Sequence, residues 1–362
     1  MMRYKADWAE AQWRLTALWY GERLDRPCIS VLAPQPAALS ELPEPADDEV
    51  RWLDPNYRVA VVRRELESTW WGGEAVPSSL LMANWVICLG GTPRFRPETI
   101  WFDPQAVSFD RPSPFRHDPT SPWMTKYTAL LSALVEEAGY DGFLIGKPGG
   151  LPANDLLSMH MGTEAFLFAL VDHPDWMAEA ILIGAQDQLQ ARQELQAWLR
   201  DRHAYWYGNG GWMPFWAPEP FTTTQSDVSC MLSPAMFDRF IVPELDVHAS
   251  EHGALWYHLD GGDARQHLPT LLTLPYLRVV QYTPAPWEPP NGPAHLPMYR
   301  RIQAAGRIVH IELPWQHVEP LVRELDPTLL MLHTWCPSRE VGERLLEDSV
   351  CWARTALMRG EF

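Results

Sequence analysis

The sequence predicts an α/β fold, a (β/α)₈ barrel with an N-terminal elaboration rich in tryptophan and proline. Beyond Lys126, short apolar strands alternate with amphipathic helices at intervals of roughly 20–30 residues, as expected of parallel βα units. The length of 362 residues suits closure into a barrel. A doubly wound open sheet is the main rival, but no GxGxxG motif follows the first predicted strand. We therefore expect a single domain over residues 1–362, with the elaboration inside residues 1–125.

The N-terminal part offers few regular patterns. A helix is predicted over Asp7–Gly21, because apolar residues recur at helical spacing and a glycine ends the run. A short buried strand over Cys28–Ala33 follows, and a second helix is expected near Val59–Ser68. The rest of the region from about Leu42 to Trp123 is rich in tryptophan, proline and glycine and predicts an elaboration over one end of the fold.

The remaining chain alternates between strand and helix patterns. The segment Pro234–Glu251 illustrates the helix signals, with Ser233 as N-cap, proline at the first helical position and Gly253 at the end. The predicted helices are Tyr127–Ala138, Asp155–Leu170, Asp175–Leu199, Pro234–Glu251, Gln266–Leu272, Met298–Ala305, His317–Leu325 and Glu340–Met358. The predicted strands are Gly142–Lys147, His203–Tyr207, Leu255–Leu259, Leu277–Tyr282, Ile308–Leu313 and Leu329–His333.

Composition limits the classes of function. The formal net charge of −17 argues against binding of nucleic acid or anionic membranes, since both require clustered Lys and Arg. No stretch approaches the roughly 20 apolar residues of a membrane span, and no signal-peptide pattern opens the chain. Five scattered cysteines without a CxxC motif predict no disulfide framework. We expect a cytoplasmic protein, and a homodimer is compatible with aromatic residues exposed in the N-terminal region.

Polar side chains end four consecutive predicted strands. They are His258 with Asp260, Gln281 with Thr283, His310 with Glu312, and the run His333–Cys336. Side chains two apart on a strand share a face, and burial of an unpaired charge is costly. Because barrel enzymes place their active sites at the C-terminal strand ends, these groups are expected to converge on one mouth.

A divalent metal such as Zn²⁺ is a plausible occupant of this mouth. Imidazole, carboxylate and thiolate are its usual ligands, and three protein ligands with an open position mark catalytic sites. His258, Asp260 and Cys336 are the candidate ligands, with Glu312 or His310 as substitutes. Cys336 is equally well read as a small buried apolar residue.

A cluster of tryptophans suggests an aromatic wall. Trp206, Trp212 and Trp216 flank Gly208-Asn-Gly-Gly211 in a non-helical segment, which we interpret as a loop over the mouth. Indole faces suit sugar rings, methylated ammonium groups or an aromatic cofactor. The three tryptophans are therefore candidate substrate-binding residues, and Tyr257, Gln281 and His310 are candidates as well.

At this point the chain resembles the uroporphyrinogen decarboxylase-like superfamily. The residues that carry the resemblance are Asp227-Val-Ser-Cys-Met-Leu-Ser-Pro-Ala-Met-Phe-Asp-Arg-Phe-Ile-Val-Pro-Glu244 and the Tyr-His-Leu-Asp strand after them. Arg26-Pro-Cys-Ile-Ser and Asp155-Leu-Leu-Ser-Met-His-Met-Gly162 support it. The resemblance implies a (β/α)₈ barrel and either a decarboxylase or a zinc-dependent, corrinoid-linked methyltransferase.

Departures from the family pattern matter. Decarboxylases carry an Arg-Gln-Ala-Gly-Arg motif near the N-terminus, but here the first strand leads into Ala33-Pro-Gln-Pro36, which disfavours uroporphyrinogen as the substrate. The methyltransferases bind zinc through His-x-Cys and a later Cys. His258 matches the histidine, Asp260 stands in place of the first cysteine, and Cys336 is a candidate for the second. A carboxylate in place of a thiolate hardens the metal site.

These observations favour metal-assisted methyl transfer on a small organic substrate, and the family resemblance implies a corrinoid protein as partner. Asp227 and Gln281 would orient the substrate. A second class is metal-free lyase or hydrolase chemistry on a sugar-like substrate, with Asp260, Asp227 or Glu312 as acid and base beside His258. A third class is a non-catalytic binder of a cyclic or aromatic ligand.

Overall fold

The computed structural model describes residues 2–39, 41–79, 93–113, 116–146, 151–207 and 213–358, with side chains up to residue 354. The helices are α1 Trp8–Tyr20, α2 Asp48–Leu53, α3 Pro55–Glu67, α4 Pro122–Ala138, α5 Ala153–Met161, α6 Thr163–Asp172, α7 Pro174–Arg200, α8 Pro234–Met236, α9 Val242–Ala249, α10 Gly261–Ala264, α11 Leu268–Thr273, α12 Leu296–Ala304, α13 Val318–Glu324 and α14 Arg339–Met358. The strands are β1 Cys28–Pro34, β2 Thr69–Gly73, β3 Ser78–Ser79, β4 Pro93–Phe95, β5 Ile100–Phe102, β6 Leu144–Ile145, β7 Thr222–Gln225, β8 Leu255–Asp260, β9 Leu277–Thr283, β10 Ile308–Glu312 and β11 Leu330–Trp335.

The largest sheet has seven strands in the order β2-β1-β11-β10-β9-β8-β7. All neighbours are parallel except β2, which pairs with β1 antiparallel. Two small pairs, β3 with β6 and β4 with β5, complete the strand pairing of the described residues. The fold is therefore mixed α/β with a mostly parallel sheet, as predicted, but the pairing of the described strands does not close a barrel.

Several elements differ from the sequence-based expectation. The helix predicted over Asp155–Leu170 is two helices, because Gly162 adopts a φ of +81° between α5 and α6. The strand predicted over His203–Tyr207 is wrong, since this segment forms turns. The polar strand β7 was not predicted, because its sequence Thr-Thr-Thr-Gln has no apolar run.

Alternation along the strands sorts their side chains into two apolar clusters. Outward-facing residues such as Val309, Ile311 and Leu332 pack with the helices in one cluster. Inward-facing residues such as Trp256 and Ile308 pack with helix α1 in a second cluster. Among the described helices, none combines the length and the apolar character that a membrane crossing requires.

Candidate functional site

Three side chains at the C-terminal ends of β7 and β8 form the candidate site. Asp227 opens a short 3₁₀ turn, Asp227–Met231, directly after β7, while His258 and Asp260 share the inward face of β8. One ligand atom from each of these residues lies within 4.8 Å of the other two. We refer to Asp227, His258 and Asp260 as the His–Asp group.

His258 has a defined orientation. Its Nδ1 is hydrogen-bonded to Oε1 of Gln281, and the Gln281 amide nitrogen donates to Oγ1 of Thr283 at 3.1 Å. Since the amide oxygen can only accept, Nδ1 carries the proton and Nε2 is the basic nitrogen. Nε2 lies 3.8 Å from Oδ1 of Asp260. Burial lowers the pKa of His258, which favours the neutral ring that a metal requires.

The carboxyl of Asp227 lies among other carboxylates. Burial, followed by the charges of Asp155 and Asp260, raises its pKa to about 8. Asp227 as a whole residue is exposed, but the protein around its carboxyl removes part of the surrounding water. This loss of hydration is the largest cause of the raised pKa. Gln225 donates to Oδ2 of Asp227 at 2.6 Å, which helps to fix its side chain. A cation would relieve the repulsion within this group.

Asp155, in the first turn of α5, supports the turn that carries Asp227. Its two carboxylate oxygens accept from the backbone N–H groups of Asp227 and Val228, each at 3.0 Å. Burial raises the pKa of Asp155 to about 6, against these hydrogen bonds. Asp155 therefore positions Asp227 through the backbone.

A second buried network anchors the start of α5. Glu244 accepts from the amide side chain of Asn154 at 2.7 Å and from the backbone N–H groups of Ala153 and Asn154. Ser226 in turn donates to Oδ1 of Asn154 at 2.8 Å. The network thus connects helix α9 through α5 to the residue that precedes Asp227.

Four other predicted site residues lie on strands β8, β9 and β10. Gln281 and His310 lie buried on the inward face, in the same row of the sheet as His258. Glu312 is the last residue of β10 and does not belong to the His–Asp group. The residue is exposed, but the protein around its carboxyl removes enough water to raise its pKa. Tyr257 faces outward, as strand alternation requires, and packs in the outer cluster. It is not positioned to contact a ligand on the inward face.

Cys336 lies apart from the His–Asp group. The residue is buried at 3% exposure within the outer apolar cluster, and its backbone N–H donates to the carbonyl of Leu32 at 2.8 Å. Burial raises the pKa of its thiol to about 11, which disfavours the thiolate that binds metal. The structure therefore does not bring Cys336 to the site, and Asp227 is the third residue that lies beside His258 and Asp260.

The tryptophans of the predicted aromatic wall lie elsewhere. Trp216 precedes β7 and packs at 5.7 Å, ring to ring, against Trp8 of α1, at the N-terminal ends of the strands. The Arg200 guanidinium lies 4.6 Å from the ring of Trp206, which is partly buried against a third apolar cluster. Trp212 falls outside the described residues. The placement of Trp206 and Trp216 over the mouth is corrected, since a segment entering a strand lies at the opposite end of a parallel sheet.

Comparison with known proteins finds similarity at the level of the fold. No protein-family model matches the sequence, and no curated protein matches it. Among solved structures, a methyltransferase from Methanosarcina mazei is similar, with a TM-score of 0.57 and 13% sequence identity. The alignment covers 94% of this chain and 98% of that protein. At this identity the similarity concerns the fold alone, over nearly the whole of both chains.

The donor set of the His–Asp group fits a divalent metal. Histidine nitrogen and aspartate oxygen are both zinc ligands in proteins, and catalytic zinc sites have three protein ligands and an open position. The amide of Gln281 holds the imidazole by its second nitrogen, as partners of metal-binding histidines commonly do. The residues present therefore fit the metal that the sequence suggested, with oxygen ligands in place of sulfur.

Proposed function

We propose that this protein is a metal-assisted methyltransferase of the uroporphyrinogen decarboxylase-like superfamily that acts on a small organic substrate. The observation that carries the proposal is the His–Asp group, whose three ligand atoms converge at the C-terminal ends of β7 and β8. The similarity in fold to the Methanosarcina mazei methyltransferase supports it. A corrinoid protein as partner is part of the proposal through the sequence resemblance.

The proposal includes a closed (β/α)₈ barrel. Strands β3 and β6 would fill the gap in the sheet between β1 and β7. Val76, just before β3, and Leu144 of β6 pack in the same cluster as Cys28, Trp256 and Ile308 from the inward face of the sheet. The carboxylate of Glu74 also accepts from the backbone N–H of Ile29 in β1. These contacts bring the segment before β3 against β1.

In the proposed site, Asp227, His258 and Asp260 hold the metal. Bound Zn²⁺ would supply Lewis acidity and lower the pKa of a substrate group that it contacts. Gln281 keeps the basic Nε2 of His258 directed towards Asp260. Asp155 and Gln225 hold Asp227 in place by its backbone and its side chain. With two carboxylates as ligands, the site suits a harder metal or an oxygen-bearing substrate better than a thiol.

The test is the metal content of the purified protein, measured by plasma mass spectrometry. We expect about one zinc ion per chain, lost in His258→Ala, Asp227→Ala and Asp260→Ala. Asp263→Ala is the matched control, because Asp263 is an exposed carboxylate near Asp260 that lies outside the group. Wild-type protein that takes up no metal, even with excess zinc, contradicts the proposal.

A second candidate function is favoured by the pKa of Asp227. A carboxyl whose pKa is raised to about 8, next to the second carboxyl of Asp260, is an arrangement for general acid–base catalysis. This metal-free lyase or hydrolase would turn over in the presence of chelators and lose activity in Asp260→Asn. Metal stoichiometry and chelator sensitivity together separate the two candidates.

A further inference from the structure

A row of polar side chains crosses four strands on the inward face of the sheet. Gln225, His258, Gln281 and His310 are successive Cα partners on β7, β8, β9 and β10. The first three belong to the candidate site or support it. His310 stands two strands from His258, roughly 10 Å along the sheet.

His310 offers a directed hydrogen-bond donor. The residue has no exposed surface, and its Nδ1 accepts from the indole N–H of Trp256 at 3.1 Å. The proton of the neutral ring is therefore on Nε2. This Nε2 is buried and has no hydrogen-bond partner among the described residues.

His333 on the neighbouring strand β11 repeats this feature. It is 5% exposed, and its Nδ1 is buried without a hydrogen-bond partner in the described part of the chain. Its Cα partner on β10 is Glu312, so it stands diagonally across from His310 on the same face. Burial, with His333 adding to it, lowers the pKa of His310. Two neutral imidazoles thus lie close together with an unpaired nitrogen each.

Buried nitrogens without partners are rare, and leaving them unpaired is unfavourable. We propose that His310 and His333 form a subsite that binds an sp² oxygen of the substrate, in a carboxylate or an amide carbonyl. This subsite adds a substrate class to the proposed function. It rests on that function only for the end of the substrate that reacts at the His–Asp group. The substrate would extend from the His–Asp group to the two imidazoles.

The chemistry of the subsite selects an acceptor. Nε2–H of His310 can pair only with an acceptor, so an ammonium group is excluded there. The rings of Phe215 and Trp256 lie 5.4 and 5.8 Å from the His310 ring, and such apolar surroundings strengthen a hydrogen bond. The half-exposed Asp260 and Trp335 mark the end of the sheet from which a ligand would enter.

The test uses the full chain labelled with ¹⁵N-histidine and two-bond ¹H–¹⁵N spectra. Acetate, acetamide and methylammonium are the probes. We expect acetate, acetamide or both to shift the Nε2 signal of His310 and the Nδ1 signal of His333, and methylammonium to shift neither. His310→Phe and His333→Phe should each weaken binding about tenfold or more. His203→Phe is the control, since this buried histidine faces the carbonyl of Gly139 instead.

The response to each probe identifies the oxygen group that the subsite binds. A response to acetate alone identifies a carboxylate, and a response to acetamide identifies a carbonyl group. If neither oxygen probe shifts the two signals in the wild type, the inference is wrong, whether or not the variants fold. Binding that is unchanged in both phenylalanine variants also overturns it. The same titration in His258→Ala, which lacks the proposed metal site, should still give the shifts, so the subsite is tested independently of the metal proposal.

Discussion

Two backbone N–H groups at the start of the 3₁₀ turn donate to the carboxylate of Asp155, and this arrangement sets where the Asp227 side chain lies. The sequence pointed to His258 and Asp260 because polar residues at the end of an apolar strand are conspicuous, and to Asp227 only through the segment that carries the family resemblance. It did not single out Asp155, Gln225 or Glu244 for the site. An acidic residue in the first turn of a helix is common, and nothing in its spacing shows which distant turn it will contact.

The first prediction concerns Asp155→Asn. One carboxylate oxygen becomes an N–H donor, so one of the two hydrogen bonds to the turn is lost. We expect zinc affinity to fall by about 10–100-fold, as is common when a supporting residue of a metal site is changed. Asp47→Asn is the matched control, because Asp47 also accepts a backbone hydrogen bond, at 2.8 Å from the N–H of Val50, far from the site. Equal zinc affinity in both variants would rule out the positioning role.

The second prediction concerns His333 and pH. Burial lowers the pKa of His333 to about 4, below the value of about 6.5 expected in the unfolded chain. The unfolded state therefore binds the extra proton first, and stability is lost as pH falls from about 6.5 towards 4. The contribution is about 1.4 kcal/mol per pH unit within that window. The free energy of unfolding, measured with urea between about pH 7 and 4, should fall less steeply with pH in His333→Phe than in the wild type. An equal slope in the two proteins would contradict the lowered pKa of His333.

At the level of elements, the second half of the chain was predictable and the first half was not. Strands β8 to β11 are apolar runs followed by helices, and their bounds lie within a few residues of the prediction. Strands β3 to β6 have two or three residues each, too few for a periodic pattern. The direction of the Trp216 segment could not be inferred without β7, because only that strand shows which end of the sheet the segment approaches.

The third prediction concerns the contact between α1 and β1. Glu74 is 1% exposed, and its carboxylate pairs with Arg26 at 2.7 and 2.9 Å and with Arg14 of α1 at 2.7 Å. Removal of one partner leaves buried charges uncompensated, so Glu74→Ala should lower the free energy of unfolding by about 3–5 kcal/mol. Glu343→Ala removes the exposed pair with Arg339 and should cost about 0.5 kcal/mol. Similar losses in both variants, measured by chemical denaturation, would contradict the central role of this ion cluster.

For the whole molecule, strand spacing and chain length predicted the mostly parallel α/β architecture that the structure shows, and closure of the sheet into a barrel stays a prediction. The candidate site and the net charge of −17 are linked at this scale. Like charges oppose the compact state, and the carboxyl groups of Asp155, Asp227 and Asp260 lie together at one end of the sheet, where burial and the neighbouring charges raise the pKa of Asp227. Salt screens the general repulsion, whereas a bound cation would neutralise the local one with all three carboxyl groups ionised.

The last prediction separates these two effects by thermal unfolding. Sodium chloride should raise the melting temperature slightly and equally in the wild type and in Asp260→Ala, because screening depends on total charge. Zinc at about 100 times its Kd should add about 2.7 kcal/mol to wild-type stability, a shift of several degrees at matched ionic strength. Asp260→Ala should lose this increment, since one of the three ligands is gone. If zinc stabilises the variant as much as the wild type, its binding lies at other surface carboxylates, and the His–Asp group is not a metal site.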